Sequence, residues 1–335
     1  MKKTEFVVAQ IGCGYWGPNL LRNFSAIPTC RVKYVVDGDS SRRAFVASKF
    51  PAITVLSDAD AVFADPEVDA TIIATPAATH FSLAHRSLSS GKHAFVEKPL
   101  ATSTAQANEL ARLALAGSLV LMVGHTFVYN AAVRHVKTLI EQGHLGELRY
   151  IYSQRLNLGR IRTDIDALWN FAPHDISIIQ YWLGDPEPVR VLRSGMAYIQ
   201  PTVEDVVFLN IRYPGRVMAH IHVSWLDPQK VRKMVVVGSR RMVVYDDMAD
   251  DKVAILDKGI DVRAELGKNM DFDSSPTTAF SYRSGDILLP MIKFDEPLRV
   301  QAEHFLSCMA GETHCLTGPD HARRVVQILE AAQQS

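Results

Sequence analysis

The chain has 335 residues, 47% of them hydrophobic and 21% charged, enough apolar side chains for two packed cores and too many for a disordered chain. Lys+Arg and Asp+Glu both number 36, so no net field gathers nucleic acid or an anionic membrane, and a small-molecule partner is expected. No apolar run approaches the roughly 20 residues of a bilayer span, the opening MKKTEFVVAQIGCG lacks the apolar core of a signal peptide, and Cys13, Cys30, Cys308 and Cys315 have neither zinc-site nor disulfide spacing. A reducing cytoplasm and no metal are the expectation.

In chain order, short β-branched runs at 6–11, 32–36, 53–56, 70–74, 94–96 and 119–123 alternate with amphipathic segments at 18–26, 41–49, 79–89 and 104–116. Most of the runs are too continuously apolar to have a wet face, which predicts an α/β domain over residues 1–125, a doubly wound parallel sheet covered by helices. The first run ends in Gly12-Cys13-Gly14-Tyr15-Trp16-Gly17, a G-x-G-x-x-G turn opening a helix. Its glycines permit a tight turn, close approach of a pyrophosphate and close helix–strand packing, and the free amides of the helix start hold phosphate.

The second run ends at Asp37, twenty residues past Gly17, where an acid accepts hydrogen bonds from ribose hydroxyls and repels a 2′-phosphate. NAD is therefore expected; Arg42 and Arg43 follow closely and keep NADP open. Ligands of such sheets lie beyond the carboxyl ends of the strands. Two further strand ends qualify: Ala74-Thr75-Pro76, with His80 just after, and Glu97-Lys98-Pro99. Pro99 biases Lys98 toward an extended backbone, holding its side chain beyond the strand. His125 and Tyr129 follow the sixth run and either line the cofactor edge or belong to the core.

Residues 126–335 read differently. Runs at 149–155, 189–198, 206–213, 216–226, 233–237 and 242–246 alternate in places and are separated by turn residues such as Pro214-Gly215, predicting an α+β domain on a large, open, mainly antiparallel sheet. One face covers a helix and the other is free to pair with a second subunit. The polar stretch 259–286 reads as a long loop or flap, and 298–309 and 321–332 as closing helices packed back on the body. His220 and His222 share a strand face, but no third metal ligand accompanies them.

Three motifs, Gly12-Cys13-Gly14-Tyr15-Trp16-Gly17, Glu97-Lys98-Pro99 and Pro173-His174-Asp175, in this order and spacing resemble the glucose–fructose oxidoreductase / inositol dehydrogenase / rhizopine catabolism (Gfo/Idh/MocA) family across nearly the whole chain. The resemblance implies hydride transfer between a nicotinamide cofactor and a hydroxyl-bearing carbon of a sugar or cyclitol. Lys98 matches the family's catalytic lysine and His174 its catalytic histidine, while Asn170 stands where many members carry aspartate. The stretches GYWGPNLLRNF and NLGRIR to LWNFAPHD are similar to members acting on nucleotide-activated sugars.

If Pro173 opens its helix, His174 sits at a positive helix end beside the Lys98 ammonium and is neutral near pH 7, fit for a general base. Lys98 then stabilises the developing alkoxide; in a ketosugar reductase the roles exchange. Asn170 shares a face with His174 if the helix extends back, and otherwise lies in the turn before it. Arg155, Arg160 and Arg162 precede that helix and suit a diphosphate bidentately, or form an exposed basic loop. The leading expectation is an oxidoreductase acting at a ring carbon such as C3 of a nucleotide-linked sugar, as a homo-oligomer. The alternatives are a free-polyol, inositol or aldose dehydrogenase and a non-catalytic NAD-binding sensor.

Overall fold

The structure is a computed structural model that describes residues 5–159, 161–163, 165–264 and 278–334. Six parallel strands form the first sheet: β1 Phe6–Ile11, β2 Cys30–Val36, β3 Thr54–Leu56, β4 Ala70–Ile73, β5 His93–Val96 and β6 Leu121–Val123, in the order β3-β2-β1-β4-β5-β6. Helices α1 Gly17–Ser25, α2 Ser40–Lys49, α3 Asp60–Ala64, α4 His80–Ser89 and α5 Thr104–Ala116 connect them. Every residue of β1 and β4 is buried, as a sheet covered on both faces requires. Strand order reverses between β1 and β4, so the ends of these two strands open the crevice in which ligands of doubly wound sheets lie.

The chain continues through α6 Ala131–Glu141, β7 Leu148–Leu158, α7 Ala167–Leu183, β8 Arg190–Met196, β9 Val206–Arg212, β10 Met218–Ser224, β11 Leu226–Gly238, β12 Met242–Asp246, β13 Val253–Ala264, β14 Thr278–Leu288, α8 Pro297–Met309 and α9 Pro319–Gln333. The eight strands pair in the order β14-β13-β12-β11-β7-β10-β9-β8. All pairs are antiparallel except β7 with β10. One face, carrying Val207, Leu209, Ile211, Ala219, Ile221 and Val223, packs on α7 through Ile176, Ile179 and Trp182. The other leaves Leu192, Met196, Phe208 and Met218 exposed, and there His220 and His222 stack on Phe208 rather than converging on an ion.

Two expectations are corrected. The stretch 259–286 is not a loop where it is described: β13 and β14 pair antiparallel from Ile255 with Leu288 to Ala264 with Thr278. At the sheet edge β14 leaves Tyr282, Ile287 and Leu288 exposed, while Val253 and Ile255 keep one face of β13 in the core, so the composition of the wet edge strand mimics a loop. Nor does Pro173 open α7. The Asp166 carboxylate caps the helix by accepting from Trp169 N at 2.9 Å, and Pro173 lies inside it, removing only the amide that would have bonded the Trp169 carbonyl.

The closing helices join both cores. Phe305 of α8 packs edge-on against Phe24 and Phe95 at 6.3 and 5.7 Å. From α9, Ala322 and Val326 enter the core beneath α4 and α5, while Val325, Ile328 and Leu329 enter that of the second sheet. Among the described residues, no helix is long and apolar enough to cross a membrane.

Candidate functional site

The glycine turn has the form a pyrophosphate needs. Gly12 has φ +93°, and a Cβ there would stand 2.6 Å from the Ala74 carbonyl oxygen; one on Gly17 would stand 2.8 Å from the Gly12 oxygen. Gly14 instead faces open space, with nothing within 4 Å of such an atom. No side chain caps the start of α1, so its first amides remain available to an anion. Asp37 is half-buried at the end of β2, its two oxygens accepting from Cys13 N at 2.7 Å and Asp39 N at 2.9 Å. This fixes the carboxylate at the lip of the turn with lone pairs to spare for ribose hydroxyls. Arg43 spends its guanidinium on the carbonyls of Asp37 and Gly38, both at 2.8 Å, rather than presenting it to a 2′-phosphate.

The next two strand ends are clamped together by His80, buried with Nδ1 2.7 Å from the Pro99 oxygen and Nε2 2.8 Å from the Thr75 oxygen. Burial holds its ring below ordinary imidazole basicity, against the pull of both carbonyls. Thr75 lines the cavity; Pro76 caps the short turn leading to α4. Glu97 receives the indole N–H of Trp16 at 3.1 Å and lies under Gly124, where a Cβ would meet its Oε1 at 2.8 Å. Lys98, followed by a cis peptide to Pro99, sends its ammonium across to the Asn170 carbonyl oxygen at 3.0 Å. One contact thus joins the first sheet to α7.

Desolvation pushes the Glu97 carboxyl up to about 7, opposed by the Lys98 charge. Desolvation also pulls the Lys98 ammonium down to about 8, opposed by Glu97 and assisted by Arg162 and Arg155. His174, one turn beyond Asn170 on the same helical face, is held well below the usual imidazole value, first by burial and then by the Lys98 and Arg155 charges. This neutral histidine owes nothing to the helix end, because it sits two turns inside α7. Among the described residues its buried Nδ1 has no hydrogen-bond partner, and its ring meets Phe127 edge-on at 5.2 Å.

These groups line one cavity of about 890 Å³ with Tyr15, Trp16, Gly124, Phe127, Arg155 and Arg162, a size ordinary for cofactor and substrate sites. Three expected residues have other commitments. Arg155 is committed to Asp175, its Nε donating at 2.7 Å and Nη2 at 3.3 Å, with Ser153 Oγ adding a bond to the same carboxylate at 2.6 Å. It is thus a buried, neutralised wall rather than a diphosphate ligand. Tyr129 faces the core, its hydroxyl 2.9 Å from Thr317 Oγ1. His125 lies behind the cavity against His321, with ring centroids 5.4 Å apart. Arg160 lies outside the described residues.

Sequence reasoning missed Phe127, which touches both the His174 ring and the Arg155 guanidinium, the latter at 4.6 Å. It also missed Lys230, Arg232, Asp247 and Lys252, which the second sheet contributes to the cavity wall. No spacing in the sequence marks them, because the pairing of β7, β11 and β12 brings them together. Asp175 of the Pro173-His174-Asp175 motif was readable as a partner for a buried cation only once Arg155 was known to be buried.

Residues 6–125 match the oxidoreductase family with an NAD-binding Rossmann fold, and residues 133–244 match the Gfo/Idh/MocA C-terminal domain. UDP-N-acetylglucosamine 3-dehydrogenase of Acidithiobacillus ferrooxidans is 32% identical over 195 residues, 56% of this chain and 58% of the relative. The uncharacterized oxidoreductase YdgJ of Escherichia coli is 30% identical over 215 residues, 60% of each chain. These matches span about three fifths of the curated relatives' length. A solved structure of the Acidithiobacillus ferrooxidans enzyme, GnnA, superposes with a TM-score of 0.79 at 25% identity, covering 98% of this chain and 96% of that one. The glycine cradle, the fixed Asp37 and the two matched segments agree: the chain belongs to the Gfo/Idh/MocA oxidoreductase family and carries its NAD-binding Rossmann domain.

Proposed function

We propose that the protein is an NAD-dependent dehydrogenase or ketoreductase acting at a ring carbon, C3 by likeness to the UDP-N-acetylglucosamine 3-dehydrogenase, of a nucleotide-activated sugar. Bound NAD supplies or accepts the hydride; the chain supplies position and proton traffic. Lys98 lies where the cofactor-binding turn meets α7, and its ammonium stabilises oxyanion character on the reacting oxygen. His174, neutral because it is buried near two cations, takes the hydroxyl proton in oxidation and returns it in reduction. Glu97 keeps Lys98 charged enough to donate.

The observation that carries the nucleotide-linked reading is the charge of the far wall. Lys230, Arg232, Lys252 and Arg162 line the cavity with Asp247, and the further carboxylates of its lining are Glu97, Asp295 and Glu296, the last paired with Arg22. Arg232 donates to Asp247 at 3.2 Å and Lys252 to nearby carbonyls at 2.8 and 3.0 Å, which orients these two side chains; unlike buried Arg155, Arg232 is about a third exposed and keeps donors for a diphosphate. The exposed face of the eight-stranded sheet pairs with a second copy in this reading.

The test is the appearance of reduced nicotinamide absorbance with NAD and a panel of uridine-, thymidine- and guanosine-diphosphate sugars beside glucose and inositol. Turnover of a nucleotide sugar at a kcat/KM at least about tenfold above the free sugars supports the reading. Equal or better turnover of inositol or glucose assigns the free-polyol alternative, and no reduction with any compound assigns the sensor.

A further inference from the structure

Away from the cavity, α8 and the loop after it gather three soft ligand groups. His304 and Cys308 are four residues apart on one face of α8, with Nε2 and Sγ 3.4 Å apart. The helix closes at Gly311, which has φ +71° and donates to the Cys308 carbonyl at 3.0 Å. The returning chain places Cys315 so that its sulfur, the Cys308 sulfur and the His304 nitrogen all lie within 4.8 Å of one another. A tetrahedral ion with bonds of about 2.0 Å to nitrogen and about 2.3 Å to sulfur separates its ligand atoms by roughly 3.5–3.8 Å. The group is therefore a slightly relaxed form of such a shell.

Leu316 N–H donates to His304 Nε2 at 3.2 Å, and a backbone amide donates only, so Nε2 carries the lone pair and Nδ1 the proton; an ion at Nε2 takes the place of that amide. The ring is further held against Tyr129 at a centroid distance of 5.3 Å. Two thiol sulfurs and one imidazole nitrogen are the ligand set that a soft-to-borderline cation prefers.

We propose that His304, Cys308 and Cys315 bind one divalent ion of the zinc class, with water or the exposed His314 in the fourth position. Binding exchanges the thiol protons for the ion and releases them to solvent; two thiolates balance its charge and nothing is oxidised or reduced. The site lies on the back of the cofactor crevice. Thr317, two residues past Cys315, exchanges hydrogen bonds with Val123 of β6 at 2.9 and 2.8 Å, and Gly124 and Thr126, just beyond Val123, line the cavity. An ion there pins α8 to the strand that carries the cavity floor, independently of what the cavity turns over.

The test uses the full chain, stripped with a chelator under reductant and titrated with Co(II) and then Zn(II). The expected result is one equivalent of cobalt with a thiolate-to-metal charge-transfer band and the intense visible bands of tetrahedral cobalt, lost on adding zinc. Cys308→Ser and Cys315→Ser each weaken binding by more than the roughly 10–100-fold that outer-shell changes cost. Should either variant fail to fold, thiol alkylation of the unaltered chain decides: Zn(II) protects Cys308 and Cys315 and leaves Cys13 and Cys30 at their metal-free rates. Weak octahedral spectra, cobalt binding unchanged by the serine variants, absence of selective protection, or a Cys308–Cys315 disulfide forming equally with and without Zn(II) overturns the proposal.

Discussion

The two sheets hold their functional groups in opposite ways. The six-stranded sheet presents backbone: Gly12, Gly14 and Gly17 and the amides of α1 form the turn proposed to cradle the cofactor, and buried strands on both sides leave that geometry little freedom. The eight-stranded sheet presents side chains: α7 lies on its buried face and offers Asn170 and His174, while Arg155 and Asp175 neutralise each other between sheet and helix. Lys98 bridges the two. In the proposed reading such a site fixes the cofactor through shape and leaves the substrate to replaceable side chains.

That contrast is broken most severely in the first region by Gly12→Ala. A Cβ at φ +93° against the Ala74 carbonyl cannot be relieved by a flexible side chain, so calorimetry should show NAD binding abolished; binding within about tenfold of the unaltered chain removes the cradle. In the second region Asp175→Ala leaves the Arg155 cation buried without its carboxylate, which costs about 3–5 kcal/mol. Denaturant unfolding followed by tryptophan fluorescence, with Trp182 and Trp225 in that core, checks it, and a loss under about 1 kcal/mol denies the pair its structural part.

Smaller changes sharpen the bridge between the regions. With Lys98 acting as the charged donor, kcat/KM for oxidation falls as pH rises through about 8. The Glu97 charge holds the ammonium up, so Glu97→Gln should move that falling limb to lower pH, and a limb that stays or moves up separates Glu97 from Lys98. The smallest effect is expected from Asn170→Asp. A carboxylate one turn from His174 stabilises imidazolium and raises its basicity, shifting the acidic limb of the profile upward; an unchanged limb shows that the two residues do not communicate.

Much of the first region was legible in the sequence because its signals are local. Continuous apolar runs, a glycine turn and strand-end prolines lie within a few residues of the atoms they control. The second region resisted for the same reason. Asp166, seven residues before Pro173, caps α7 and moves the helix start, which changes why His174 is neutral: burial and the Lys98 and Arg155 charges, rather than a dipole. Arg155 reads in the sequence as either a diphosphate ligand or part of an exposed basic loop, and it is neither, because Asp175 on another element meets it in the interior. The edge strand β14 is largely exposed along its described length, and periodicity does not distinguish that from a loop. Cys308 and Cys315 lack zinc-motif spacing and come together only when α8 closes at Gly311.

The central claim is that Lys98 joins cofactor region and substrate helix and acts on the reacting oxygen. Single-turnover reduction of bound NAD by UDP-N-acetylglucosamine, or by whichever sugar the panel selects, compared between the unaltered chain and Lys98→Met, tests it most directly. The prediction is a rate lower by about 10²–10³ with NAD affinity unchanged, whereas a Lys98→Met protein that reduces NAD at the unaltered rate contradicts it.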